Sequence, residues 1–114
     1  MDAVTSLQKI DTIKRLNDCF RRSFVGGVVL LTEGVASLDD TARARLLKAV
    51  RDFSDFTPGN DPHGEHDMVF VEVNAVKYMA KVDYYDRAMQ YHSPDPSDPS
   101  VTTRVLTVMR ADEY

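Results

Sequence analysis

The chain has 114 residues, a net charge of -4, 43% hydrophobic residues and 28% charged ones, the balance of an ordinary globular protein. That length corresponds to one domain, spanning 1–114, and suffices to bury a core without disulfides or a structural metal. The single cysteine, Cys19, excludes an intramolecular disulfide scaffold and points to a reducing compartment.

Charge interrupts every apolar run of the opening segment MDAVTSLQKIDTIKRLND, so it does not read as a signal peptide. No stretch approaches the roughly 20 apolar residues that a membrane-spanning helix takes. The expectation is a soluble, cytoplasmic protein with no membrane association. Residues 58–114 carry five Lys/Arg against ten Asp/Glu, which argues against a nucleic-acid surface there, since phosphate contacts need basic side chains. Lys9, Lys14, Arg15, Arg21 and Arg22 read as the solvated face of the first helix.

In chain order, residues 6–22 form an amphipathic pattern, with Leu7, Ile10, Ile13, Leu16 and Phe20 at three- and four-residue steps. Cys19 falls on this helix as a small apolar residue. VVLLT, residues 28–32, reads as a short buried strand followed by a turn at Glu33-Gly34. A second helix is predicted over 38–54, with Ser37 as N-cap and Asp39 and Asp40 at the positive end of its dipole. Phe56 is expected to fold back onto the same core. TPGNDPHGE, residues 57–65, is turn chemistry.

Strand pattern resumes at 67–73 and 77–85, joined as a hairpin around Asn74-Ala75. Val69, Val71 and Val73 share one face, as do Tyr78, Ala80, Val82 and Tyr84. Beyond a Pro-rich loop, Asp98 as N-cap with Pro99 at the first helical position predicts a closing helix over 99–111. The fold class is α+β: a small antiparallel sheet of 28–32, 67–73 and 77–85, with both helices packed on one face.

Parity concentrates the chemistry at one end of the hairpin. It places Asp67 on the core face and His66 on the other, opposite Asp83 or Tyr85, with Glu65, Asp86, His63 and His92 in nearby loops. Imidazole and carboxylate together suit a divalent transition metal, which makes His63, His66 and His92 candidate ligands. An acid/base reading pairs His66 with Asp83. Neither reading is complete: Pro62 and Gly64 rule out a helical His-x-x-x-His ligand pair, and no nucleophile, phosphate-binding loop or cofactor motif accompanies the cluster.

The plainer expectation is structural. Asn60 and Asp61 bond to local backbone, Gly64 takes a positive φ, His66 packs on Tyr85 or Phe70, and Asp67 is held by backbone N–H groups or an arginine. On that reading Asp67→Ala costs about 1–3 kcal/mol and His66→Ala within about 0.5 kcal/mol. As a binding site, the candidates are Glu65, His66, Asp67, Asp83, Tyr85 and Asp86.

The segments LND, GGVVLLTEGVASL, VRDFSDFTPGNDPHGEHD, DYYD, SPDPSDP and TTRVLTVM with a terminal EY together resemble a small bacterial family. It is known only as a domain of unknown function and is common in alphaproteobacteria and their mobile elements. The resemblance runs from Leu16 to Tyr114 and implies a complete single-domain member of that family, but no activity. It also implies a tyrosine near position 63 in relatives, which weighs against His63 as a metal ligand. The functional expectation is a small non-enzymatic module that binds another protein, in the form of a mobile-element-borne inhibitor or modulator of a host system. The alternative is a metal-assisted hydrolase or small-ligand-binding protein using the His/Asp cluster.

Overall fold

The structure, a computed structural model, describes residues 3–114. Helix α1 (Ala3–Ser23) is followed by strand β1 (Gly27–Leu31), a single-turn helix α2 (Glu33–Ala36) and helix α3 (Asp40–Asp52). A long loop then leads into the hairpin β2 (Met68–Val73) and β3 (Val76–Tyr85), and strand β4 (Thr103–Arg110) follows. Single 3₁₀ turns, Pro99–Val101 and Ala111–Glu113, flank β4.

The four strands form one mixed sheet in the order β1-β4-β3-β2. The α+β class is as expected, and so is the face common to Val69, Val71, Tyr78, Ala80 and Val82, whose register is Val69↔Ala80 and Val71↔Tyr78. Leu106 and Val108 of β4 join that face opposite Val82 and Ala80. Phe20 of α1, Val35 of α2 and Leu46 and Val50 of α3 complete the core above it, with Phe56 packed at its margin. The helices therefore lie on one side of the sheet, the arrangement that lets an apolar sheet face be buried once.

Three expectations are corrected. The closing segment is a strand, not a helix: Asp98 does cap Pro99, accepting from the Ser100 N–H at 2.9 Å, but the helical conformation stops after one 3₁₀ turn. β4 lies between two strands and is buried on both faces, at Val105 and Met109 on one and Leu106 and Val108 on the other. A strand covered on both sides loses polar/apolar alternation, and its continuous apolar run then mimics helical steps. Second, β1 is parallel to β4 and separated by it from β3, so the sheet is mixed rather than antiparallel. Third, Glu33–Ala36 is a helical turn, and the N-cap of α3 is Asp39 rather than Ser37, accepting from the Ala42 N–H at 2.8 Å.

The apolar stripe of α1 is used only in part. Ile13 and Phe20 are buried, but Leu7 is 66% exposed, while Asn17 and Arg21 are fully buried. Gly27 explains how α1 approaches the sheet: a Cβ there would stand 2.7 Å from the Phe20 ring and 2.4 Å from the Arg104 carbonyl oxygen. Cys19 is exposed. Among the described residues no helix is long and apolar enough to cross a membrane.

Candidate functional site

The polar chemistry collects where the end of β3 and the start of β4 pass beneath α1. Asn17 is its centre. Its side-chain N–H groups donate to the Glu65 carbonyl at 3.0 Å and to the Tyr84 hydroxyl oxygen at 2.8 Å, and its Oδ1 accepts from Arg104 Nε at 2.8 Å. Tyr84 in turn donates to Glu65 Oε1 at 2.7 Å. Burial, together with that bond to a carboxylate, pushes the Tyr84 phenol well above its ordinary range. The Arg104 guanidinium lies 5.2 Å from the Tyr84 ring centre and also donates to the Pro96 carbonyl. Burial moves it below the usual arginine value. Beside it, Ser93 and Thr102 share a 2.7 Å bond, and Thr102 donates to the Asp95 carbonyl at 2.8 Å. A buried amide, phenol and guanidinium are affordable only because each finds partners.

His66 belongs to a second, adjoining group. Its backbone turns through φ +54°, a left-handed conformation uncommon for residues with a side chain, at the end of a loop in which Gly64 takes φ +71°. That twist breaks strand parity and swings the imidazole toward the helices. Nδ1 lies 2.9 Å from Asp18 Oδ1 and Nε2 3.5 Å from Asp61 Oδ2. The ring stacks on Phe56 at 3.6 Å with 4° between planes. The same Asp18 oxygen takes a 3.0 Å bond from Arg21, whose other terminal nitrogen donates to the Phe53 carbonyl at 3.1 Å. Arg21 Nε is buried without a hydrogen-bond partner.

The expected pairing of His66 with Asp83 or Tyr85 is thus replaced. Its carboxylate partners are Asp18 and Asp61, and its aromatic neighbour is Phe56 rather than Tyr85 or Phe70. Asp18 and His66 do form a carboxylate–imidazole pair, but the second nitrogen meets another carboxylate instead of a nucleophile. The loop reading of Asn60 and Asp61 is correct in kind: Asn60 accepts from the Thr57 N–H at 2.8 Å and Asp61 from the His66 N–H at 3.1 Å. The inward, satisfied carboxylate is Asp61, which is buried, and not Asp67.

Asp67 stands apart. Its carbonyl accepts from the Val82 N–H at 2.8 Å, but among the described residues no other residue bonds its carboxylate. Partial burial, aided by the Glu65 and Asp61 charges, raises its pKa above the ordinary carboxylate value. It opens on a cleft of about 410 Å³ lined also by Lys81, Asp83, Tyr84, Tyr85 and His92. The cleft brings together four of the sequence candidates, Asp67, Asp83, Tyr85 and His92. Lys81 and Asp83 are paired at 3.3 Å, and Tyr85 bridges to His92. Asp86 is used in a turn, accepting from the Gln90 N–H at 3.0 Å. His63 is exposed in a different groove, which it lines with Leu7, Ile10, Pro62, Asp61 and His66. Among the described residues no three His, Cys, Asp or Glu side chains are grouped to hold a metal ion.

Sequence reasoning missed Asn17, Asp18, Arg21 and Arg104. Asn17 and Arg21 occupy positions four and eight residues beyond Ile13, on its buried side of α1. That helical spacing was the available signal for them.

No curated protein and no solved structure matches this chain. A family model described as "Protein of unknown function (DUF3768)" matches residues 31–113, which include β1's last residue, the whole hairpin and β4. The chain belongs to that family.

Proposed function

We propose that this protein is a small non-enzymatic module that binds another protein, with the partner seated at the β2 edge of the sheet. The observation that carries this reading is Phe70. It is 45% exposed on the outer sheet face of an edge strand, beside a cleft of about 340 Å³ lined by Val71, Glu72, Lys77, Tyr78 and Ala111. An exposed aromatic anchor next to an apolar cleft with a polar rim is the composition of an interface hot spot. The hairpin-end groups, by contrast, are each engaged within the chain, His66 by Asp18 and Asp61, Tyr84 by Asn17 and Glu65, and Arg104 by Asn17 and the Pro96 carbonyl, which makes them a lock between α1, the 56–67 loop and the sheet. The chain's resemblance to a small bacterial family common in alphaproteobacteria and their mobile elements supports the more specific form, an inhibitor or modulator of a host system.

The test is stoichiometric capture from the native host by the wild-type protein and by Phe70→Asp, with thermal melts to establish that both fold. A partner held by the wild type and lost by the variant is the expected result. Equal capture by both, or capture of nothing, contradicts the reading.

One observation favours a second reading, small-ligand binding in the Asp67 cleft: that carboxylate lines the cleft half-buried, and among the described residues no other residue bonds it. Its metal-assisted form is tested by elemental analysis of protein purified without a histidine tag. A stoichiometric divalent ion would support it, and substoichiometric zinc, manganese, iron and nickel would end it.

A further inference from the structure

The two edges of the sheet differ in kind. β2 carries Glu72 and packs beneath α3. β1 is Gly-Val-Val-Leu-Leu, with no charge and no proline, and β4 on one side is its sole strand partner among the described residues. Exposed edges of soluble proteins are ordinarily blunted by lysine, proline, a bulge or a covering segment, because their unpaired N–H and C=O groups template another strand. β1 carries no lysine or proline, its register with β4 is unbroken, and none of its five residues is buried. Its outer-face Leu30 is 49% exposed, and Val25 just before the strand is 75% exposed.

We propose that β1 pairs antiparallel with β1 of a second copy, about a two-fold axis through Val29, joining the two sheets into one of eight strands. This is a second interface, independent of the partner site at Phe70. Three features select a second copy in this orientation. The pairing is self-complementary: Val28 faces Leu30 of the other copy on the outer side, and Val29 faces its own counterpart on the helix side. Leu31 faces Gly27, over which the Phe20 ring packs, so that the leucine meets an aromatic side chain. The flanks agree in charge as well. Exposed Arg22 precedes the strand and exposed Glu33 follows it. An antiparallel pair sets the basic flank of one copy beside the acidic flank of the other, whereas a parallel pair would set like beside like. A five-residue edge falls short of the roughly 1,200–2,000 Å² that stable interfaces bury, so the dimer is a reversible, concentration-dependent one.

Sedimentation equilibrium of the intact chain, from low micromolar to millimolar concentration, is the direct test. The mass is expected to rise from 12.9 kDa toward twice that value. Leu30→Glu and Val28→Lys should each hold the protein at monomer mass, by placing a charge against an apolar side chain of the other copy. Combined, they should restore the dimer, because the new ammonium at position 28 then faces the new carboxylate at position 30 across the axis. Melts of each variant check folding. If a variant fails to fold, amide exchange of wild-type residues 27–31 decides instead, with slowing at high concentration expected. A wild type that stays monomeric, a dimer indifferent to Leu30→Glu, a folded double variant that stays monomeric, or β1 exchange independent of concentration would each overturn the proposal.

Discussion

Asn17 and Arg104 are 87 positions apart in the chain, and the Arg104 Nε–H donates to Asn17 Oδ1 at 2.8 Å inside the protein. This bond ties the middle of the first helix to the start of the last strand. Through the same amide it also ties in the hairpin, at Tyr84, and the long loop, at Glu65.

Asn17→Ala removes the partner of three groups at once, one buried and two part-buried. Leaving buried donors and acceptors unpaired costs about 1–3 kcal/mol, and more where one of them is charged. Denaturant unfolding should therefore place the variant at least about 1 kcal/mol below wild type. Asn17→Asp keeps an acceptor for Arg104 but loses both donors, and should also unfold earlier. A transition for Asn17→Ala that coincides with wild type would mean the amide is not the hub.

Asp67 carries the opposite sign. Partial burial raises its carboxyl above 3.8, so the folded state holds the proton more tightly than the unfolded chain does. Its favourable contribution is complete below pH 3.8 and is lost as pH rises through the folded value. Asp67→Asn should therefore melt at or above the wild-type temperature at neutral pH, with the advantage vanishing in acid. This replaces the expectation that removing Asp67 destabilises the fold. Melting curves of the two proteins across pH check it, and a lower neutral-pH Tm for Asp67→Asn would refute it.

Glu113 gives the reverse pH dependence. Its carboxylate accepts from Thr32 Oγ1 at 2.7 Å, the Gly34 N–H at 3.0 Å and the Arg110 N–H at 2.7 Å. These bonds, with Thr32 the leading one, hold its carboxyl below the ordinary 4.5. The contribution is present above that ordinary value and is lost as pH falls through the folded one. Glu113→Gln should lower Tm at neutral pH, and the gap should close as the wild type is acidified. A gap that does not depend on pH would show that the charge is not what matters at this position.

Much of the fold was legible because the hairpin's two apolar sets keep strict alternation. Val69, Val71, Tyr78, Ala80 and Val82 could be assigned to one face from period alone. The Asn74-Ala75 turn, with both residues at positive φ, lies where the alternation breaks. β4 was not legible, since burial on both faces erased its alternation and Asp98-Pro99 supplied a true but short helical start. The candidate site was legible in part. The segment 60–67 does carry the polar loop, but His66's positive φ reversed the direction that strand parity assigns to it. Asn17 and Arg21 are polar residues in a core-facing row, and composition alone reads such residues as solvent-facing.

The central claim is that His66 serves the fold, held between Asp18 and Asp61 rather than waiting on a substrate. A double-mutant cycle in unfolding free energy, with His66→Ala, Asp18→Ala and the two combined, measures it directly. The account predicts that His66→Ala alone costs about 1 kcal/mol or more, not the small loss expected of a surface residue. It further predicts that the double variant falls short of the sum of the singles by about 0.5–3 kcal/mol, the coupling of residues in direct contact. Additive losses, with His66→Ala as stable as wild type, would contradict it.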